Sequence, residues 1–206
     1  APALLMGNTI VAKPSEMTPM TASLLAEVME EVDLPRGVFN LVHGNGLDAG
    51  APLTSHPDVD LISFTGGTST GREVATSASS GFKKLSLELG GKNATIIRED
   101  VDLESMIPGI VRASFLNQGQ VCLCGSRILI HESIYDSFVD AFLNTVSEMI
   151  VGDPSDEDTE LGALISAAHR DKVMAYIDLA EEEGGDILCG GGAPLGIPDA
   201  FENGFW

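Results

Sequence analysis

The sequence predicts an α/β fold in which parallel strands are joined by helices. Through the first 90 residues, short β-branched runs alternate with segments of helical apolar spacing. Glycine-rich turns close several of these runs, as strand-to-helix connections require. With 206 residues, 44% hydrophobic and 20% charged, the chain can bury a substantial core and is not disordered.

Strands are expected at residues 9–12, 38–42, 59–64 and 84–87. Between the first two, Thr18 and Pro19 read as an N-cap and first turn, followed by Leu25, Val28, Met29 and Val32 at helical spacing. That helix should cover one face of a sheet. His56, Pro57 and Asp58 break the chain before the third strand, and residues 68–79 read as the helix after it.

Beyond Gly90-Gly91 the pattern changes, so a second domain is expected over 91–206 after a first over 1–90. It should hold a strand at 94–97, a helix near 103–117, a strand at 127–130 and two long helices. Their apolar stripes, Ile134, Phe138, Phe142 and Val146 and then Val173, Ile177 and Ala180, read as core.

Eleven basic against 31 acidic residues give a net charge of -20, which repels nucleic-acid phosphates and anionic membranes. Neither is an expected partner. No apolar run approaches membrane-spanning length and no basic leader opens the chain, so a cytoplasmic location is expected. Cys122, Cys124 and Cys189 form no even framework and read as free thiols, with Cys189 a buried strand residue in 186–189. His43, His56, His131 and His169 lack ligand spacing, so no metal site is expected.

Five segments carry chemistry. Lys13 and Glu16 close the first strand, where α/β sheets bind ligands; a ribose would suit the pair, although alone it reads first as a surface ion pair. Gly44-Asn45-Gly46-Leu47-Asp48-Ala49-Gly50 follows a strand as a dinucleotide-binding loop does, with its third glycine one residue late. Phe64-Thr65-Gly66-Gly67-Thr68-Ser69-Thr70-Gly71 is either an ordinary tight turn or a place where backbone meets phosphate. Glu88 in Leu87-Glu88-Leu89-Gly90-Gly91-Lys92 and Cys122, 34 residues on, pair a carboxylate with a thiol, the groups of covalent catalysis.

Together with Gly7-Asn8-Thr9-Ile10-Val11-Ala12 and Asn117-Gln118-Gly119-Gln120-Val121-Cys122, these blocks resemble the aldehyde dehydrogenase superfamily over essentially the whole chain. The resemblance implies a Rossmann-like parallel-sheet lobe for NAD over 1–90, incomplete at its start, and part of an α/β catalytic lobe over 91–206, incomplete at its end. It makes Cys122 the nucleophile and Glu88 the general base. Lys13 and Glu16 would bind the adenosine ribose, with Ser15, Gly46, Gly50, Phe64, Thr65, Gly66, Gly67, Gly71 and Leu89 as further cofactor-binding residues. Glu16 should repel a 2'-phosphate, so NAD is expected over NADP. The implied substrate is an aldehyde, and the implied full-length assembly is a homodimer or homotetramer. Residues 117–130 and 161–166 are most similar to semialdehyde dehydrogenases of aromatic ring cleavage, such as those for 2-hydroxymuconic and 2-aminomuconic semialdehyde.

Two departures matter. Gly67 stands where the family commonly has serine, removing a hydroxyl near the cofactor phosphate. The chain also begins after the family's tryptophan-asparagine-proline block and stops before its glutamate-phenylalanine-glycine-proline block, so it is expected to be an internal slice. The first of these blocks holds half the oxyanion hole, and losing one donor costs about a hundredfold in rate, so the slice is expected to be weakly active or inactive alone. The competing expectation is a non-catalytic relative that binds nucleotide or partners. Glu88 favours hydrolysis to the acid over the acyl-coenzyme A branch, which generally lacks that glutamate.

Overall fold

The computed structural model describes residues 1–194, 196, 197, 201 and 204–206. It divides into two compact units, Ala1–Gly90 and Gly91–Trp206.

The first unit runs α1 (Pro2–Leu5), β1 (Ile10–Ala12), α2 (Met20–Glu31), β2 (Phe39–Leu41), a widened turn at Gly46–Gly50, α3 (Ala51–Ser55), β3 (Leu61–Gly66), α4 (Thr68–Ser79) and β4 (Lys84–Leu89). Its strands form two parallel ladders. Ile10 to Ala12 pair with Phe39 to Leu41, and Leu61 to Gly66 pair with Lys84 to Leu89. Alternation along β3 sends Ile62 and Phe64 to one face, where they meet Val74 and Ala78 of α4 and Leu87 of β4. These residues form the unit's buried cluster.

Two expectations fail here. Thr18 does not cap α2, which starts at Met20 after Pro19 with no side-chain cap. The carbonyl and hydroxyl of Ser15 accept from Thr18 N (3.2 Å) and Met17 N (3.2 Å), and this local turn removes Thr18 from the capping position. The stripe on α2 also fails as core: Leu25, Val28 and Val32 are exposed, and the partly buried positions are Ala22, Ser23, Ala26 and Met29. The ladder of β1 and β2 has two strands, and these side chains lie uncovered beside it.

The second unit runs β5 (Ala94–Ile97), α5 (Leu103–Phe115), a short 3-10 turn (Leu116–Gly119), β6 (Arg127–Ile130), a further 3-10 turn (Glu132–Ile134), α6 (Tyr135–Ser147) and α7 (Ala167–Glu182). Ala94 to Ile97 pair in parallel with Arg127 to Ile130. Ile97, Ile107, Ile110, Val111 and Phe138 make the core, with Ile134, Phe142 and Val146 packed against it. Phe138 is 2% exposed and stacks on Phe142 at 5.5 Å. Phe138→Ala should therefore destabilise this unit by about 3–5 kcal/mol. The check is the denaturant midpoint, with an unchanged midpoint as the contrary result.

The stripe on α7 is not core, since that helix has no buried residue and Val173 and Ala180 are exposed. Nor is Cys189 a buried strand residue. It is exposed, and residues 186–189 have no ladder partner among the described residues, so an apolar run stays open beside Ile187 and Leu188. No helix among the described residues is long and apolar enough to cross a membrane.

Candidate active site

Parallel pairing brings the ends of β1 and β2 together, and Val42 N donates to Ala12 O across them at 2.9 Å. Lys13, the next residue, donates through Nζ to Pro14 O (2.7 Å) and to Gly44 O (2.9 Å) in the loop after β2. Glu16 lies 3.8 Å away, half exposed at 52% against 17% for Lys13. The lysine is thus held by carbonyls, while the carboxylate reaches solvent.

Gly44, the first glycine of the candidate dinucleotide-binding loop, supplies that carbonyl from φ 148°, and a Cβ there would lie 2.7 Å from Ala49 Cβ. Only glycine fits this conformation and this contact. Asn45 Oδ1 then accepts from Asp48 N at 2.8 Å and caps the turn that follows. Ala49 N and Gly50 N both donate to Asn45 O at 3.2 Å. This five-residue bond widens the turn and absorbs the extra residue that makes the third glycine late. Around Gly46 nothing lies within 4 Å of a Cβ, and at Gly50 a Cβ would sit 3.6 Å from Lys13 Cε.

At the end of β3, Phe64 belongs to the apolar cluster, while Thr65 pairs with Glu88 in register and both are exposed. The Phe64 ring folds back so that a Cβ on Gly66 would fall 2.6 Å from its Cζ. Gly67 precedes α4 with open space around it, and α4 has no side-chain cap. First-turn amides there have no partner within the helix, and the helix dipole adds about half a positive charge. Gly71, in α4, packs under Leu89, whose Cδ2 would be 2.5 Å from an added Cβ.

Cys122 belongs to the second unit. After α5, Asn117 and Gln118 take left-handed backbone angles (φ 53° and 56°), which turn the chain sharply at Gly119. Gln118 Nε2 donates to Gly162 O at 3.0 Å, and Gln120 Oε1 lies 3.0 Å from His169 Nε2. Cys122 follows, exposed, in a turn closed by Cys124 N donating to Val121 O at 3.0 Å. Cys124 is buried, and its Sγ faces Leu116 O at 3.9 Å. Asn93, just beyond the Glu88 block, donates through Nδ2 to Cys122 O (2.8 Å) and Cys124 O (3.2 Å).

The structure therefore gathers Lys13, Glu16 and Gly50, joins Phe64 to Gly66 and Gly71 to Leu89, and sets Thr65 opposite Glu88. Ser15 spends its hydroxyl on the turn before α2. Glycine spacing and strand ends were signals in the sequence; the carbonyl partners of Lys13 and Asn93 had none.

The family model "Aldehyde dehydrogenase family" matches residues 1–206. The 2-aminomuconic 6-semialdehyde dehydrogenase of Pseudomonas sp is 50% identical over 100% of this chain and 42% of its own length. The 2-hydroxymuconic semialdehyde dehydrogenase of Pseudomonas sp. (strain CF600) is 46% identical with the same coverage. Among solved structures, PnpE in complex with nicotinamide adenine dinucleotide superposes with a TM-score of 0.95 at 47% identity, covering 100% of this chain and 42% of PnpE. Betaine aldehyde dehydrogenase from Staphylococcus aureus in complex with NAD+ gives 0.95 at 42% identity, covering 100% and 41%. The chain thus spans about two fifths of the relatives it matches.

Proposed function

Because this chain belongs to the aldehyde dehydrogenase family, we propose that it carries the NAD-binding lobe and the nucleophile-bearing part of an enzyme that oxidises an aldehyde to its carboxylic acid. One observation carries the reading. Of two thiols two residues apart, Cys122 is exposed on a hydrogen-bonded turn and Cys124 is buried, as a nucleophile and a bystander should be.

The first unit fits a dinucleotide. The backbone around Gly46 and Gly67 is open where a side chain would obstruct, α4 offers unpaired amides to a phosphate, and Glu16 is an exposed acceptor for ribose hydroxyls. Gly67 in place of serine leaves those amides uncapped and free. NAD bound there supplies an acceptor for the hydride lost from the substrate carbon. The remaining work falls to the chain. The thiolate of Cys122 adds to the aldehyde carbon, and the N–H of Cys122 donates to the oxygen as negative charge develops. After oxidation a thioester remains on Cys122. Glu88 takes a proton from water, the hydroxide attacks the thioester, and the acid leaves as the thiolate is regenerated.

The relatives favour a semialdehyde as substrate. The test offers the full-length protein a panel that includes a dicarboxylic semialdehyde, a trimethylammonium aldehyde and simple aliphatic aldehydes, with either cofactor, following absorbance of the reduced nicotinamide. Highest kcat/KM with the semialdehyde is expected, and no turnover of any aldehyde would sink the reading. Glu16 should favour NAD over NADP by about tenfold or more, since a carboxylate facing a 2'-phosphate costs at least about 1.4 kcal/mol. Higher kcat/KM with NADP would overturn that preference.

A further inference from the structure

We propose that Asn93 is a positioning residue for Cys122, holding the backbone from which its thiol-bearing Cβ and its amide project; this rests on the proposed role of Cys122 as nucleophile. Two peptide units flank the cysteine Cα. In the unit before it, Val121 O accepts from Cys124 N at 3.0 Å, which turns the opposite edge, the N–H of Cys122, away from the turn. In the unit after it, Cys122 O accepts from Asn93 Nδ2 at 2.8 Å. With both planes held, φ and ψ of Cys122 are set. Cβ and N–H then leave the backbone in defined directions.

Asn93 suits the task because its amide carries two protons, and these reach two carbonyls of one turn, Cys122 O and Cys124 O (3.2 Å). Its own position is firm. Asn93 O accepts from Arg127 N at 3.1 Å, immediately before the register that pairs Ala94 with Arg127. Gly125 N donates to Ala113 O at 3.0 Å, tying the far side of the turn to α5. Gly91 also packs near, since a Cβ there would lie 3.7 Å from Cys122 O. The nucleophile turn is thus suspended between α5 and the start of β5. Asn93 is the side chain that joins it to the strand.

An aspartate has the same shape but, ionised, offers no donor and sets charge against two carbonyls. Alanine removes the bonds and leaves the carbonyls to water. A misplacement of about 1 Å at a reacting group can cost about a hundredfold in rate. Asn93→Ala and Asn93→Asp in the full-length enzyme should therefore lower kcat by about tenfold to a hundredfold. KM for NAD should hold within about twofold, because the residues assigned to NAD lie in the first unit.

The second readout is the rate at which iodoacetamide alkylates Cys122, followed on the peptide by mass spectrometry. It should change at least about threefold in both variants, whereas Cys124 stays unreactive. Should Asn93→Ala fail to fold, Asn93→Ser, which keeps one hydroxyl donor, replaces it, and an intermediate kcat is expected. Folded variants with kcat and alkylation rate within twofold of the unsubstituted enzyme would overturn the proposal. So would a rise in KM for NAD parallel to the loss of kcat. If the unsubstituted enzyme oxidises no aldehyde, the parent reading fails, and the alkylation rate still decides whether Asn93 sets the reactivity of Cys122.

Discussion

Cys122→Ala in the full-length protein is expected to lower kcat by on the order of 10⁴-fold or more while leaving NAD affinity unchanged. The loss is large because no other side chain on the turn can replace the thiol. Cys124 is two residues away, but it is buried and faces Leu116 O. NAD affinity should survive because Lys13, Glu16 and the open glycines belong to the other unit. Aldehyde turnover measures the first half of this prediction and fluorescence titration with NAD the second. Cys124→Ser is the control: its hydroxyl can meet the same carbonyl, and turnover should stay within a few-fold. The assignment fails if Cys124→Ser silences the enzyme and Cys122→Ala does not.

The second large effect is expected at Glu88. Glu88→Gln preserves size and strand pairing opposite Thr65 but cannot accept a proton. Losing a general base costs about 10²–10⁴ in rate. If Glu88 prepares the hydrolytic water, only the second half of the reaction suffers. Rapid mixing should then show a burst of reduced nicotinamide near one equivalent, followed by a slow steady state, with an acylated Cys122 visible by mass spectrometry. A burst slowed in proportion to the steady state would instead place Glu88 in activation of the thiol.

Much of the α/β pattern was legible from local signals. The β-branched runs at 94–97 and 127–130 are strands over those same residues, and 68–79 is a helix, because β-branching and helical spacing act over a few residues. Where burial was inferred from periodicity, the reading failed on α2 and α7. An apolar stripe shows that a face wants cover, not that the neighbouring elements are wide enough to give it. The run at 186–189 makes the same point, since an extended apolar segment becomes a strand only when a partner backbone satisfies its N–H and C=O groups.

At the candidate site the division is similar. Sequence by itself determined the family blocks, the chemistry available at Cys122 and Glu88, the Lys13 and Glu16 pair, and the glycines that keep backbone open. These are properties of residue type and spacing. Only the tertiary structure decided that Lys13 is tied to Gly44, that a widened turn takes up the late glycine, that Cys122 rather than Cys124 meets solvent, and that Asn93 reaches the carbonyls of Cys122 and Cys124. The physical reason is that backbone carbonyls are identical in every residue. Which one a side chain reaches depends on where the chain folds back, 31 residues away for Lys13 to Gly44 and 29 for Asn93 to Cys122.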